Sequence, residues 1–318
     1  MIVLVPSWLH EELVPEAAVV APEAVLLPFT EDATPVPDLD RAEVVFRWRG
    51  GLRFSEIVEA GPNVRWLHTE SAGVDMVLTD AVRAKPHLIV TNSSPAYEIP
   101  IAEFVLSWMF AVAHRIEEQI VTQRARRWSG IPHAELHGQT VGVIGLGAIG
   151  QGVCTRAKAM GIRTLGLKRT PGTVAGVDEA LTGPEGLDRL LSRSDFVVIA
   201  APLTPETRGL LSGPRIARMK PNAWLINIAR GAIVDEKALI RALQSGAIGG
   251  ACLDVFAVEP LPQDSPLWDM PNVYITPHFA FGQTSGLDVR LKALFLANLR
   301  RFIDGEPLSN IVDVTKEY

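Results

Sequence analysis

Cysteine is scarce in this chain, with Cys154 and Cys252 the only two in 318 residues. Two cysteines cannot build a disulfide framework and here lack metal-ligand spacing, so both read as small core residues and no metal is expected. An excess of positive charge is also missing. Against 36 acidic residues stand 30 Lys and Arg, a net charge of -6, which argues against nucleic acid as a partner because phosphates favour basic surfaces. Runs of like charge are absent too, leaving no acidic tail or basic membrane-surface segment. The most apolar stretch, Ile101 to Ala113, carries Glu103 and falls short of the roughly 18 residues a membrane span needs. The opening Met1-Ile2-Val3-Leu4-Val5-Pro6 has no basic residues before it and is too short for a signal core, so it reads as a first strand. A cytoplasmic protein with no membrane partner is the expectation.

What is present is apolar material in α/β order. The 47% hydrophobic fraction supplies buried cores, and 318 residues suggest two domains. Ile2–Val5, Ala24–Leu27, Val44–Trp48, Val64–His68 and Leu88–Thr91 read as strands separated by helical stretches. The rhythm returns with Thr140–Ile144, Arg163–Leu167, Phe196–Ala200, Ala223–Ile228, Gly249–Leu253 and Val273–Thr276. Such alternation predicts an α/β fold with two Rossmann-like, doubly wound parallel sheets. Between the two sets, Pro100 to Arg127 reads as one long helix, and Ser285 to Ile303 as another that carries the chain back to the first unit. The predicted division is residues 1–98 with 286–318, a substrate domain, and 99–285, an inserted dinucleotide-binding domain. Thr34-Pro35-Val36-Pro37 reads as a surface loop.

The sharpest motif is Gly145-Leu146-Gly147-Ala148-Ile149-Gly150, which follows the Thr140–Ile144 strand and opens the helix predicted from Ala148 to Met160. A strand, a tight glycine turn and a helix aim free N–H groups and the positive end of a helix dipole at a pyrophosphate. Gly145 makes the turn, Gly147 admits the phosphate, and Gly150 lets helix pack on strand. About 20 positions on, an NAD-preferring unit keeps an acidic residue on the ribose hydroxyls. Lys168, Arg169 and Thr170 stand there instead. A carboxylate would repel a 2′-phosphate and these side chains would bind it, so NADP(H) is expected over NAD(H).

Three ionisable residues follow predicted strands farther along: Arg230 after Ala223–Ile228, Glu259 after Gly249–Leu253 and His278 after Val273–Thr276. Ligands of open α/β sheets bind at such strand ends. Beside a nicotinamide, an arginine, a carboxylate and a histidine suit the interconversion of a 2-oxo acid and a 2-hydroxy acid. Arginine binds the carboxylate and polarises the reacting carbonyl. Histidine gives or takes the proton, and a glutamate on its far nitrogen fixes the tautomer and stabilises imidazolium.

At these residues the chain resembles the D-isomer-specific 2-hydroxyacid dehydrogenases. The resemblance is carried by the glycine turn, Pro202-Leu203-Thr204-Pro205-Glu206-Thr207, Met219-Lys220-Pro221, Asn227-Ile228-Ala229-Arg230-Gly231, Asp254-Val255-Phe256-Ala257-Val258-Glu259-Pro260-Leu261 and Thr276-Pro277-His278. It implies that Arg230, Glu259 and His278 are the catalytic three, and that Asp254 contacts the nicotinamide end. It also implies a cofactor lined by Ala148, Ile149, Pro202, Thr207, Ile228, Ala229 and His278, a discontinuous two-domain fold and a site closed by hinge motion. Ser71-Ala72-Gly73-Val74-Asp75 looks like the family's substrate loop, in which Ser71, Ala72 and Gly73, with Arg230 and His278, hold the substrate; successive amides in a small-residue turn make an anion nest.

Arg47, Trp48, His68 and Tyr97 are candidates for reading the substrate side chain, and Trp128 for reaching a neighbouring subunit. Glyoxylate or hydroxypyruvate is the default substrate of an NADP(H)-type member. Ile101, Phe104, Val105, Trp108, Met109 and Val112 exceed what one core face needs, so a homodimer is expected. Two rival readings are a short D-3-phosphoglycerate dehydrogenase-like enzyme and a non-catalytic, dinucleotide-sensing binding protein on the same fold.

Overall fold

The computed structural model describes residues 1–30, 36, 38–47, 54–282 and 284–318, with no side-chain description for Phe54 and Ser55; Trp48, Thr34, Pro35 and Pro37 lie outside the described residues. Two compact units form, one from Met1–Tyr97 with Gln283–Tyr318 and the other from Glu98–Gly282. The first holds β1 (Ile2–Pro6), β2 (Val25–Phe29), β3 (Ala42–Arg47), β4 (Trp66–Thr69) and β5 (Ile89–Thr91), all parallel in the order β2-β1-β3-β4-β5. The second holds β6 (Thr140–Ile144), β7 (Arg163–Leu167), β8 (Glu179–Leu181), β9 (Phe196–Ile199), β10 (Trp224–Asn227), β11 (Gly250–Leu253) and β12 (Val273–Ile275). These are also all parallel, in the order β12-β11-β10-β9-β6-β7-β8.

Composition accounts for most of these strands. β9 reads Phe-Val-Val-Ile and is buried along its whole length, as a parallel strand covered on both faces must be. Helices that share a hydrophobic core with Val197 and Ile199 are amphipathic: Gly183–Arg193 buries Leu187, Leu190 and Leu191, and Glu236–Gln244 buries Ala238, Leu239 and Leu243. Each buried leucine contributes about 1.5–3 kcal/mol. The sequence reading misses β8, an edge strand of three residues that are only partly buried apart from Leu181. Half-exposed edges carry no apolar run to betray them.

The long helix expected over Pro100 to Arg127 is in fact two, Glu98–Ala113 and Ile116–Arg124. Arg115 takes a left-handed conformation (φ 50°) between them. The Ala113 carbonyl accepts from Ala134 N–H at 2.9 Å, and the Arg115 guanidinium bonds Glu118 and the Pro132 carbonyl. A returning segment thus captures the helix end that propensity alone would have extended. At the other end the helix is longer than the apolar stretch implied. With its 3-10 start it runs Ser94–Ala113, long and apolar enough by length and composition to cross a membrane, a correction to the estimate from Ile101 alone. Ile101, Ala102, Val105, Met109 and Ala113 are buried, and the helix packs on Ala148–Ala159. Three of the six residues put forward for a dimer face, Ile101, Val105 and Met109, are therefore spent within the chain's own core, and Trp108 stacks on Tyr274 with centroids 4.9 Å apart.

Candidate active site

The chain leaves β6 for β7 and β8 on one side, then returns to β9 on the other. Loops after β6 and β9 diverge at such a switch point, which is where open α/β sheets bind ligands. The glycine turn sits there, and the structure gives each glycine its reason. Gly145 has φ +98°, and a Cβ on it would lie 2.6 Å from the backbone of Ala201 in the loop after β9. A Cβ on Gly150 would lie 2.0 Å from the Gly145 carbonyl oxygen, so helix and turn could not pack. At Gly147 the space a Cβ would fill is open, with no atom within 4 Å. Closed backbone on two sides and an open approach on the third fit a dinucleotide pyrophosphate.

The next three strand ends, on β10, β11 and β12, are adjacent in the sheet. Asn227, 1% exposed, ends β10 and folds the turn behind it: its amide donates to the Arg230 carbonyl at 3.1 Å and its side-chain oxygen accepts from Ala229 N–H at 3.1 Å. Arg230, half-buried, donates from Nη1 to the Ala229 carbonyl at 2.7 Å. After β11, Glu259 Oε1 accepts from Phe256 N–H at 2.9 Å, and Oε2 meets His278 Nδ1 at 2.7 Å. An ionised carboxylate only accepts, so Nδ1 carries the proton and Nε2 is the nitrogen left to exchange one.

His278 itself has φ +52°, a left-handed conformation that costs a non-glycine residue about 1–3 kcal/mol and persists only where its surroundings impose it. Asp254 imposes it. Only 2% exposed, its carboxylate accepts from Thr276 Oγ1 at 2.6 Å, Phe279 N–H at 2.8 Å and Ala280 N–H at 3.0 Å, while its carbonyl accepts from His278 N–H at 2.8 Å. The aspartate expected at the nicotinamide thus folds the loop that carries His278. Asn227 and Thr276 fall within the motifs around Arg230 and His278, but the sequence gives neither a role of its own.

At the end of β7, Lys168 is half-buried and Arg169 and Thr170 are exposed. Lys168 N–H donates to the Leu181 carbonyl, which fixes the backbone from which these side chains extend. After β9, Thr207 is tied into its turn by Oγ1 donating to the Pro202 carbonyl at 2.7 Å. Glu206 lies below the ordinary carboxylate range, chiefly because Thr204 Oγ1 donates to it at 2.8 Å, with a smaller pull from Arg169.

In the first unit, Ser71, Ala72 and Gly73 follow β4 and are half-buried. Ser71 Oγ lies 2.8 Å from Thr69 Oγ1, and Asn92 Nδ2 donates to the Ala72 carbonyl at 3.0 Å. Of the side-chain candidates, His68 is fully buried and hydrogen-bonded to Thr91 and Ser93, and Tyr97 is 9% exposed. Arg47, 7% exposed, donates to Thr69 Oγ1 at 3.1 Å and pairs with Glu70 inside the unit. Trp128 is fully exposed. Among the described residues no His, Cys, Asp or Glu cluster could hold a metal ion.

Residues 106–280 match the family model described as D-isomer specific 2-hydroxyacid dehydrogenase, NAD binding domain. The chain is 37% identical over 270 residues to glyoxylate/hydroxypyruvate reductase B of Pectobacterium carotovorum, covering 83% of each. It is 32% identical over 314 residues to D-3-phosphoglycerate dehydrogenase of Methanocaldococcus jannaschii, spanning 98% of this chain but 59% of that protein. Among solved structures, a D-isomer specific 2-hydroxyacid dehydrogenase from Xanthobacter autotrophicus in complex with NADPH and MES matches with a TM-score of 0.86 and 34% identity, over 100% of this chain and 99% of that one. By sequence and by fold, then, this chain belongs to the D-isomer specific 2-hydroxyacid dehydrogenases, a family of oxidoreductases.

Proposed function

We propose that this chain reduces a small 2-oxo acid, or oxidises the matching D-2-hydroxy acid, with NADP(H). The observation that carries the reading is His278 Nδ1 held 2.7 Å from Glu259 at one of three adjacent strand ends, with Arg230 on the next but one. When bound, the nicotinamide supplies or accepts the hydride. His278 gives its Nε2 proton to the carbonyl oxygen during reduction and takes it back during oxidation, and Glu259 stabilises the imidazolium. Arg230 binds the substrate carboxylate and polarises the carbonyl in its planar fork. In the first unit, the Ser71-Ala72-Gly73 turn would offer backbone amides to a carboxylate.

Gly145, Gly147, Ala148, Ile149 and Gly150 would hold the pyrophosphate, Pro202, Thr207, Ile228, Ala229 and Asp254 the nicotinamide half, and Lys168, Arg169 and Thr170 a 2′-phosphate. Charge-assisted hydrogen bonds of that last kind contribute about 1.5–3 kcal/mol each. The NADPH complex of the Xanthobacter relative supports the cofactor, and the Pectobacterium reductase supports glyoxylate or hydroxypyruvate as substrates. A panel of 2-oxo acids that includes both, and 3-phosphohydroxypyruvate, is assayed with NADPH and NADH by nicotinamide absorbance. Turnover with no 2-oxo acid overturns the reading. Equal kcat/KM for the two cofactors overturns the NADP(H) preference, and Arg169→Ala is expected to lower the NADPH to NADH ratio about tenfold. A homodimer is proposed alongside, through the exposed Phe110, Ile116, Ile120 and Val121; sedimentation showing only monomer at micromolar concentration would count against it.

A further inference from the structure

Glu236 lies outside the three strand ends described above. It opens the Glu236–Gln244 helix, yet Asp235 is the residue that caps that helix, accepting from Ala238 N–H at 3.0 Å. The Glu236 carboxylate reaches elsewhere: Oε2 accepts from Ala257 N–H at 3.0 Å. One residue earlier, Phe256 N–H donates to Glu259 Oε1 at 2.9 Å. Two successive amides are thus held by two carboxylates, one anchored on a helix and one paired with His278. A second contact seats the same turn, since a Cβ at Gly231 would lie 1.9 Å from the Phe256 carbonyl carbon. Only glycine lets the turn rest on the backbone that follows Arg230.

We infer that Glu236 is a positioning residue for the Glu259–His278 pair: by holding Ala257 N–H it fixes the turn from which Glu259 reaches the imidazole. The inference rests on the proposed role of that pair in proton transfer. Glu259 stabilises the imidazolium through one short hydrogen bond, and that stabilisation weakens as the turn loosens. Among the described residues, charged groups on the neighbouring strand ends include Asp254, which folds the His278 loop, and Arg230 at the end of β10.

The test compares E236A, E236Q, D235A and H278A in 2-oxo acid reduction across pH. Reduction needs protonated His278, so kcat/KM falls on the alkaline side. E236A is expected to lower kcat/KM about three- to tenfold and to move that descending limb to lower pH by roughly half a unit or more, because a looser Glu259 stabilises imidazolium less. The NADPH dissociation constant, read by fluorescence titration, should not move. E236Q keeps an oxygen that accepts from Ala257 N–H and should restore the profile. D235A removes the cap of the same helix and should lower Tm without moving the limb. An E236A limb that stays in place, or moves no more than that of D235A, overturns the inference. So does an E236Q profile that matches E236A, since the charge and not the hydrogen bond would then be responsible. If H278A abolishes turnover while the E236A profile is unmoved, the catalytic pair stands and the Glu236 role falls; turnover that survives in H278A removes both.

Discussion

His68 and His278 both lie near the C-terminal ends of parallel strands, one within β4 and the other three residues past β12, yet they are opposites chemically. His68 is completely buried among the rings of Phe46, Trp66 and Phe295, whose centroids are 5.0, 5.9 and 5.4 Å away. Its partners are hydroxyls, Thr91 Oγ1 at 2.8 Å and Ser93 Oγ at 3.1 Å, and burial pushes its pKa down to about 3. The side chain of His278 is 43% exposed and is paired with a carboxylate. A histidine inside a strand turns toward the core and is held neutral. One beyond the strand meets the loops that bring it a charged partner and leaves a nitrogen open to exchange. Proton chemistry therefore follows the partner and the exposure, and strand-end position alone does not separate the two.

The largest break in this comparison should come from His278→Ala. Turnover is expected to fall about 10²–10⁴-fold with NADPH binding and Tm nearly unchanged. His68→Ala should do the reverse: a stability loss of about 3 kcal/mol in denaturant titrations, from the cavity and the stranded hydroxyls, with kcat retained in the folded enzyme. Loss of turnover without loss of stability in that variant would erase the distinction. The smallest effect is the pH dependence of stability. With a folded-state pKa near 3 and an unfolded value of 6.5, the unfolded chain binds a proton that the folded chain refuses. The contribution of His68 is therefore complete above pH 6.5 and falls by about 1.4 kcal/mol per unit as pH drops below it. Between neutrality and about pH 5 the wild-type protein should lose roughly 2 kcal/mol more than His68→Ala does.

The legible parts of the chain were those where local chemistry is decisive. The sequence places β7 to the residue, because Arg-Thr-Leu-Gly-Leu follows a helix and ends at basic residues, and places the Ser285–Asp304 helix to within one residue. The end of the Glu98–Ala113 helix is not legible in the sequence, because it is set by Ala134 from a returning segment. Asp254 was legible as a polar residue at a strand end, while its part in holding the His278 loop was not, since Thr276, Phe279 and Ala280 are more than twenty residues away.

By itself the sequence determined what needs only neighbours: strand and helix periodicity, the glycine turn after β6, the absence of a carboxylate at the end of β7, and the order in which Arg230, Glu259 and His278 follow their strands. Tertiary structure alone decided the rest. Strand order made β10, β11 and β12 adjacent, the Asp254 bonds set His278 in its left-handed backbone, and Glu236 met Ala257 across two loops. Hydrogen bonds between residues distant in sequence depend on how the sheet is threaded, and no local pattern encodes that threading.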